Sequence, residues 1–320
     1  MNDQTEFKNK PTVSGITLTG FSVTKHYKIW FAISGTLVIT SIVLLSTWKL
    51  VPGIDFRGGT LSELEFVNPV DTGQIKNELT LGKFGNVTVQ PLTDRRIIIK
   101  TAPIDEAQLE NFRKTLQEKF GAYTEARFES IGPSIGRELA KKAYWQILLV
   151  LLGIVLYVTY AFRKIGKQMK QGLISGWVLG AAALVALFHD LIIPAGFFAI
   201  LGKFHGVEID SLFITALLTI LGFSVHDTIV VFDRIREYMH KYPYKSIQTI
   251  IDYSVVSTMA RSINTSSTLV FVLVAMFLFG GETISNFVLA LLVGVIAGTY
   301  SSVFIASPIV YLWCKRKARV

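Results

Sequence analysis

The sequence predicts a polytopic α-helical membrane protein with six transmembrane helices and an α+β domain inserted between the first and the second. Three observations carry that prediction. Composition is the first: of 320 residues, 51% are hydrophobic and 17% charged, and the mean hydropathy is +0.46, well above that of a soluble domain. The second is a series of uncharged runs, each long enough for a helix to cross a hydrocarbon core of about 30 Å. The third is the placing of the basic residues. The formal net charge of +9 is gathered in clusters that flank apolar runs, and in a six-span topology they all fall on one side. Clusters of this kind set orientation in a membrane, so no nucleic-acid partner is predicted.

The elements follow in order. Residues 1–28 are polar and carry Lys8, Lys10, Lys25 and Lys28, which reads as a cytoplasmic tail. Helix one covers 29–48, with Trp30 and Trp48 as anchors at the two interfaces. No small-residue cleavage pattern follows it, so it reads as a retained span. Residues 49–137 form the extracytoplasmic domain. TLSELEFV (60–67) alternates as a strand, and Asp71 can cap a helix over 71–80. NVTVQPL (86–92) and RRIIIKTA (95–102) are strands joined by a tight turn at Thr93–Asp94. Residues 105–120 place Leu109, Phe112, Leu116 and Phe120 on one helical face, with Gly121 as the C-terminal cap. TEARFESI (124–131) completes a β-α-β-β-α-β order, the ferredoxin-like split βαβ layer. The domain gathers no nucleophile, base or metal-ligand set, so no enzyme is predicted.

Residues 138–313 are the five-helix transmembrane domain. Helix two, about 143–162, ends in Arg163, Lys164, Lys167 and Lys170. Helix three, about 173–203, is uncharged apart from His189–Asp190 until Lys203. Pro194 removes the donor for the Asp190 carbonyl and predicts a kink or break. Helix four starts at Ser211 and leads into Arg234, Arg236, Lys241 and Lys245. Residues 246–260 read as an amphipathic interfacial segment, and helix five follows Arg261 to about Gly280. A loop at Gly280–Thr283 holds Glu282, helix six ends near Trp313, and 314–320 is a basic cytoplasmic tail. Both termini are predicted on the cytoplasmic side. The single cysteine, Cys314, allows neither an intramolecular disulfide nor a cysteine metal site.

Asp227 is the candidate functional residue. It stands with His226 in an otherwise apolar, small or hydroxylic run, and a carboxylate at bilayer depth costs at least about 2.5 kcal/mol, so such groups face a bundle interior and act there. Its predicted partner is Arg261, with Ser224, Asn264, Thr265 and Thr268 as supporting polar groups and Gly222 allowing close helix approach. At helical spacing Arg261, Asn264, Thr265 and Thr268 share one face. The pair can act as a proton relay, because desolvation and a nearby cation act on a carboxyl group in opposite directions. Two plainer readings stay open: Asp227 as an interfacial carboxylate near Asp233, and Arg261 as an orientation anchor. His189 and Asp190 are a secondary candidate, either one end of a proton path or a structural kink. A metal site is not predicted, since these His and Asp residues lie on separate helices at different depths.

Four stretches carry a family resemblance: VPGIDFRGGT (51–60), SIGRELAKKA (134–143), FSVHDTIVVFDRIRE (223–237) and MARSINTSST (259–268). They resemble the SecF family, bacterial protein-export membrane proteins related to SecD and to RND transporters, over nearly the whole chain. Gly53, Asp55, Phe56, Arg57, Gly58 and Gly59 form the family's marker; read from the residues alone, they are a tight junction rich in glycine. The resemblance implies an RND-like half in the bacterial cytoplasmic (inner) membrane and a proton-conducting role for Asp227 and Arg261. It implies an accessory subunit of the Sec translocase that promotes late export with the proton-motive force. The implied partners are a SecD-like subunit in trans, the SecYEG channel, a translocating unfolded polypeptide and membrane lipid. No cofactor is implied beyond the coupling ion, a proton, with sodium left open. The rivals are half of an RND-type exporter of small molecules or lipids, and a non-conducting scaffold for a SecD-like partner.

Overall fold

A computed structural model describes residues 12–13, 16–17, 22–82, 84–85, 87–163, 174–243 and 245–317. Lys8 and Lys10 of the predicted tail, Lys164, Lys167 and Lys170 of the basic cluster, and residues 318–320 lie outside the described residues. The elements in chain order are β1 (Thr12–Val13), β2 (Ile16–Thr17), α1 (Tyr27–Thr47), α2 (Ile54–Arg57), β3 (Gly59–Phe66), α3 (Thr72–Leu81), β4 (Thr88–Pro91), β5 (Arg96–Thr101), α4 (Glu106–Phe120), β6 (Tyr123–Ile131), α5 (Pro133–Ala161), α6 (Gly176–His205), α7 (Ser211–Lys241), α8 (Ile247–Phe279), α9 (Glu282–Ser301), a π-helical turn (Ser302–Ala306) and α10 (Ser307–Lys317). They form two compact units. One holds 51–146 and 208–211; the other holds 1–50, 147–207 and 212–320.

The first unit is a four-stranded sheet in the order β4-β5-β3-β6, antiparallel throughout. With α3 and α4 as the crossovers this is the predicted ferredoxin-like arrangement. Leu64, Phe66, Ile97 and Ile99 of the central strands pack on Ile75 and Leu79 of α3 and on Phe112 and Leu116 of α4. Side-chain caps start both helices, the first at the residue the sequence places there. Asp71 accepts from the Gly73 N–H at 2.7 Å, and Asp105 with Gln108 forms a reciprocal capping box. Gly121, at φ +89°, ends α4. The Gly58–Gly59 pair is a site of close packing. Gly58 has φ +80°, and a Cβ there would lie 2.9 Å from Pro133 Cα; a Cβ on Gly136 would lie 2.9 Å from Gly58 N.

The second unit makes the chain a multi-pass membrane protein. Among the described residues six helices are long and apolar enough to span a bilayer: α1, α5, α6, α7, α8 and the stretch Thr283–Lys317. The last span, α6 and α7 are the inner ones, with 61%, 50% and 44% of their apolar windows buried, against 11% for α1 and for α5 and 17% for α8. Small residues allow the inner helices to touch. Gly294 receives the Ile220 side chain, and Gly298 lies against Ser224, whose Cβ would be 3.0 Å from a Cβ at that glycine. Gly222, assigned this role from the sequence, has nothing within 4 Å of its Cβ position.

Asp190 fastens the same three helices. It is fully buried near the middle of α6, and its Oδ2 accepts from Ser224 Oγ of α7 at 2.5 Å and from Ser301 Oγ of α9 at 2.7 Å. Its Oδ1 lies 2.9 Å from His189 Nδ1. Of the kink or break expected at Pro194, a break is absent, since α6 runs through that residue as one helix. A discontinuity occurs instead in the last span, where the π turn precedes Pro308. Proline lacks an N–H and its ring crowds the carbonyl four residues back, that of Phe304, and the wider π turn relieves that crowding.

The sequence placed an interfacial segment at 246–260 and began helix five at Arg261. The structure moves the start of the helix: α8 is continuous from Ile247 to Phe279, because no breaker separates the two parts. Its first turns hold the approach to α1. Asp252 accepts from Ser22 Oγ at 2.5 Å, Thr24 N at 2.9 Å and Thr24 Oγ1 at 2.8 Å.

Two substitutions test this account. Asp190→Ala strips the acceptor from two serine hydroxyls and a buried imidazole, about 1–3 kcal/mol for each orphaned group. Thermal aggregation in detergent should show it melting well below wild type, with Asp190→Asn between the two; an unchanged melting point would show that the carboxylate does not fasten the bundle. Gly58→Val imposes a left-handed backbone on a β-branched residue as well as the clash with Pro133, at about 1–3 kcal/mol. It should increase proteolysis of the first unit without preventing membrane insertion.

Candidate functional site

The apolar helix α7 delivers Asp227 to the bundle near its own midpoint, not near an end, because the helix runs on to Lys241. The residue is 2% exposed. Its Oδ1 is 3.7 Å from His226 Nδ1, and its Oδ2 is buried with no hydrogen-bond partner. The neighbours that bear on it from α8 are Arg261 and Ser262. Ser262 is buried too, and its Oγ likewise has no partner. Among the described residues no ion pair within 4.0 Å joins Asp227 to Arg261. The predicted pair is thus a set of neighbours and not a direct ion pair.

The supporting residues divide. Ser224 is buried but donates to Asp190 rather than turning to Asp227. The His226 side chain is 56% exposed. Arg261, Asn264, Thr265 and Thr268 share a face as predicted, but it is the exposed face of α8. The buried polar face is Ser254, Thr258, Ser262 and Ser266, at four-residue spacing. That spacing was available in the sequence as a signal for Ser262. Nothing in the sequence linked Ser301 to Asp190.

His189 and Asp190 are brought together with α7 and α9. Ser224, which bonds Asp190, precedes Asp227 by one turn, so the two carboxylates differ in level by about 5 Å along α7. The His189 ring stacks on Tyr300 at 5.9 Å and 24°, and its Nε2 is buried without a partner. Tyr300 in turn donates to the Trp30 carbonyl at 3.2 Å and accepts from Ser34 at 3.2 Å.

Beyond Asp227, a cavity of about 490 Å³ opens along α7. Asp233, Arg234, Arg236, Glu237, Thr258 and Arg261 are among its walls. The acids there are answered within α7, by Arg236–Asp233 at 2.5 Å and Arg234–Glu237 at 2.6 Å, which leaves Arg261 without an ionic partner among the described residues. No group of three or more His, Cys, Asp or Glu that could hold a metal occurs among the described residues. The marker residues Gly53, Asp55, Phe56, Arg57, Gly58 and Gly59 all belong to the ferredoxin-like unit, where Asp55 accepts from Ser211 N at 2.8 Å and Arg57 pairs with Glu208 at 2.7 Å.

Comparison with known proteins agrees with this layout. Residues 111–316 match the model of the family described as protein export membrane protein SecD/SecF, C-terminal, and residues 43–70 match the SecD/SecF GG motif. The protein translocase subunit SecF of Thermobaculum terrenum is 40% identical over 296 residues, covering 89% of this chain and 91% of the relative. That of Synechocystis sp. is 36% identical over 307 residues, covering 91% and 93%. Among solved structures, the crystal structure of SecDF from Thermus thermophilus, described as a translocon-associated membrane protein, superposes with a TM-score of 0.79 at 28% identity. The match covers 92% of this chain and 39% of that one, so the chain spans well under half the length of the solved relative. A six-span membrane unit, a ferredoxin-like insert and a Gly58–Gly59 turn in the matched motif, together with relatives of equal length at this identity, place the chain in the SecF family of SecD/SecF protein-export membrane proteins.

Proposed function

We propose that the chain is an accessory subunit of the bacterial Sec translocase that promotes late export of polypeptides across the inner membrane, using the proton-motive force. The names carried by its relatives support the translocase role. The observation that carries the proton coupling is the buried Asp227 carboxyl group, with the buried Ser262 hydroxyl and Arg261 of the neighbouring helix beside it and no hydrogen bond within 3.5 Å at Asp227 Oδ2 or Ser262 Oγ. Buried polar atoms are rarely left unpaired, and an intramembrane carboxylate is a functional group by default. The charged cavity at Arg261 would bring water to within a turn of Asp227. As Arg261 approaches or withdraws, the balance between ionised and neutral carboxyl changes, and the helix that carries it repacks. Each charge moved through 100 mV provides about 2.3 kcal/mol for that cycle. The polypeptide is bound and released without chemical change.

A SecD-like subunit would complete the assembly in trans, working with the SecYEG channel. Two facts support it: the solved SecDF chain is far longer than this one, and α8 turns Arg261, Asn264, Thr265 and Thr268 outward from a span otherwise surrounded by lipid. Polar groups at that depth are met by another helix more cheaply than by hydrocarbon. Basic residues at the ends of α7 and α10, including Arg234, Arg236, Lys315 and Arg316, support cytoplasmic termini with the ferredoxin-like unit outside.

In cells lacking the native gene, Asp227→Asn and Arg261→Met at matched membrane levels should insert and retain the partner, yet leave export of a secreted reporter at the level of the deletion. Full export by both variants would leave only a scaffold role. Asn264→Leu with Thr268→Leu should insert normally but lose co-purification with the SecD-like partner; undiminished co-purification would mean that this face meets lipid.

A further inference from the structure

The loop between α6 and α7 is flanked by two membrane spans, yet residues 208–211 belong to the ferredoxin-like unit. The glycine-rich marker explains this. Gly53 N donates to the Ile209 carbonyl at 2.7 Å, and Ile209 N donates to the Val51 carbonyl at 2.8 Å, with Pro52 and Ile209 in a parallel bridge. A Cβ on Gly53 would lie 2.9 Å from the Ile209 oxygen, so glycine is what lets the two backbones meet. Glu208 then takes one cation on each oxygen: Arg57 on Oε1 at 2.7 Å and Lys100 of β5 on Oε2 at 2.8 Å. Glu208 and Lys100 are each about 15% exposed, so the contact is largely shielded from water. Finally, Asp55 accepts from Ser211 N, the first N–H of α7, at 2.8 Å. A carboxylate there satisfies an orphan donor and meets the positive end of the helix dipole. The marker closes on its other side through Gly58 and Gly59 against Pro133, Ile131 and Thr101.

We propose that residues 51–59 are a hook that makes Ser211, the first residue of α7, part of the ferredoxin-like unit, so that movement of α7 is delivered to that unit through Glu208–Ser211. This rests on the proposed role of Asp227, because α7 is the helix that carries it. Asp55, Arg57, Lys100 and Glu208 are positioning residues in this scheme: they touch neither proton nor polypeptide, but they decide whether repacking around Asp227 reaches the outside unit. A span joined to the unit by a slack loop would dissipate the same movement. The hook has backbone, ionic and capping contacts over only four loop residues, and so resists pulling from either direction.

The test uses the full chain with its partner in membranes, with Cys314 replaced by serine. Asp55→Ala with Glu208→Ala should insert and retain the partner but lower reporter export several-fold. Adding Pro52→Cys and Ile209→Cys to that variant restores the link covalently, since bridged residues lie at strand spacing and suit a disulfide. Export should recover when the pair is oxidised and fall again on reduction. Unimpaired export by the double alanine variant, or no rescue by the oxidised pair, would overturn the proposal. A second readout does not depend on export: hydrogen exchange in β3 and β5 on introducing Asp227→Asn. The change should appear with the hook intact and vanish with Asp55→Ala and Glu208→Ala. A change that persists with Asp55→Ala and Glu208→Ala overturns the hook whatever export does, no change with the hook intact counts against the role of Asp227, and failure of the wild-type chain to restore export would count only against the translocase reading.

Discussion

The membrane unit depends on one buried carboxylate. Asp190 would be an expensive group in the middle of an apolar helix if it stood alone, and it persists because α7 and α9 each present a serine to the same oxygen. Those hydroxyls reach it only because Gly294 and Gly298 let α9 lie against α7 at Ile220 and Ser224. The hydrogen bonds and the glycines therefore require one another: close approach makes the donors available, and the donors make the carboxylate tolerable at that depth. The π turn that follows Ser301 belongs to the same region, since it resolves the crowding at Pro308 without ending the span.

Asp227 contrasts with this arrangement one turn away. Asp190 is saturated with donors, while Asp227 keeps an unpartnered oxygen beside an unpartnered serine hydroxyl. A saturated carboxylate suits a fixed structural role, and an unsaturated one suits a group whose partners change during a cycle. The two sites share α7 and Ser224's turn.

The ferredoxin-like unit achieves a comparable economy through backbone geometry. Its sheet and crossovers are ordinary, but the stretch ahead of β3 uses glycine where a side chain would collide: Gly53 beside Ile209, and Gly58 beside Pro133. The result is that short segments entering two different spans, α5 and α7, are built into the unit itself.

Sequence alone determined the six spans, the β-α-β-β-α-β order, the cap at Asp71 and the presence of an acid, Asp227, within an apolar span, because length, periodicity and capping are local properties. Tertiary structure decided the rest. It turned the Arg261–Asn264–Thr265–Thr268 face outward and the Ser254–Thr258–Ser262–Ser266 face inward. It made Asp190 the fastening point, moved the close approach from Gly222 to Gly298, and tied Glu208 to Arg57 and Lys100. In a soluble helix the apolar stripe announces which face is buried; in a membrane span lipid is as apolar as the protein core, so the pattern carries no such information, and the face is chosen only by what the neighbouring helices offer.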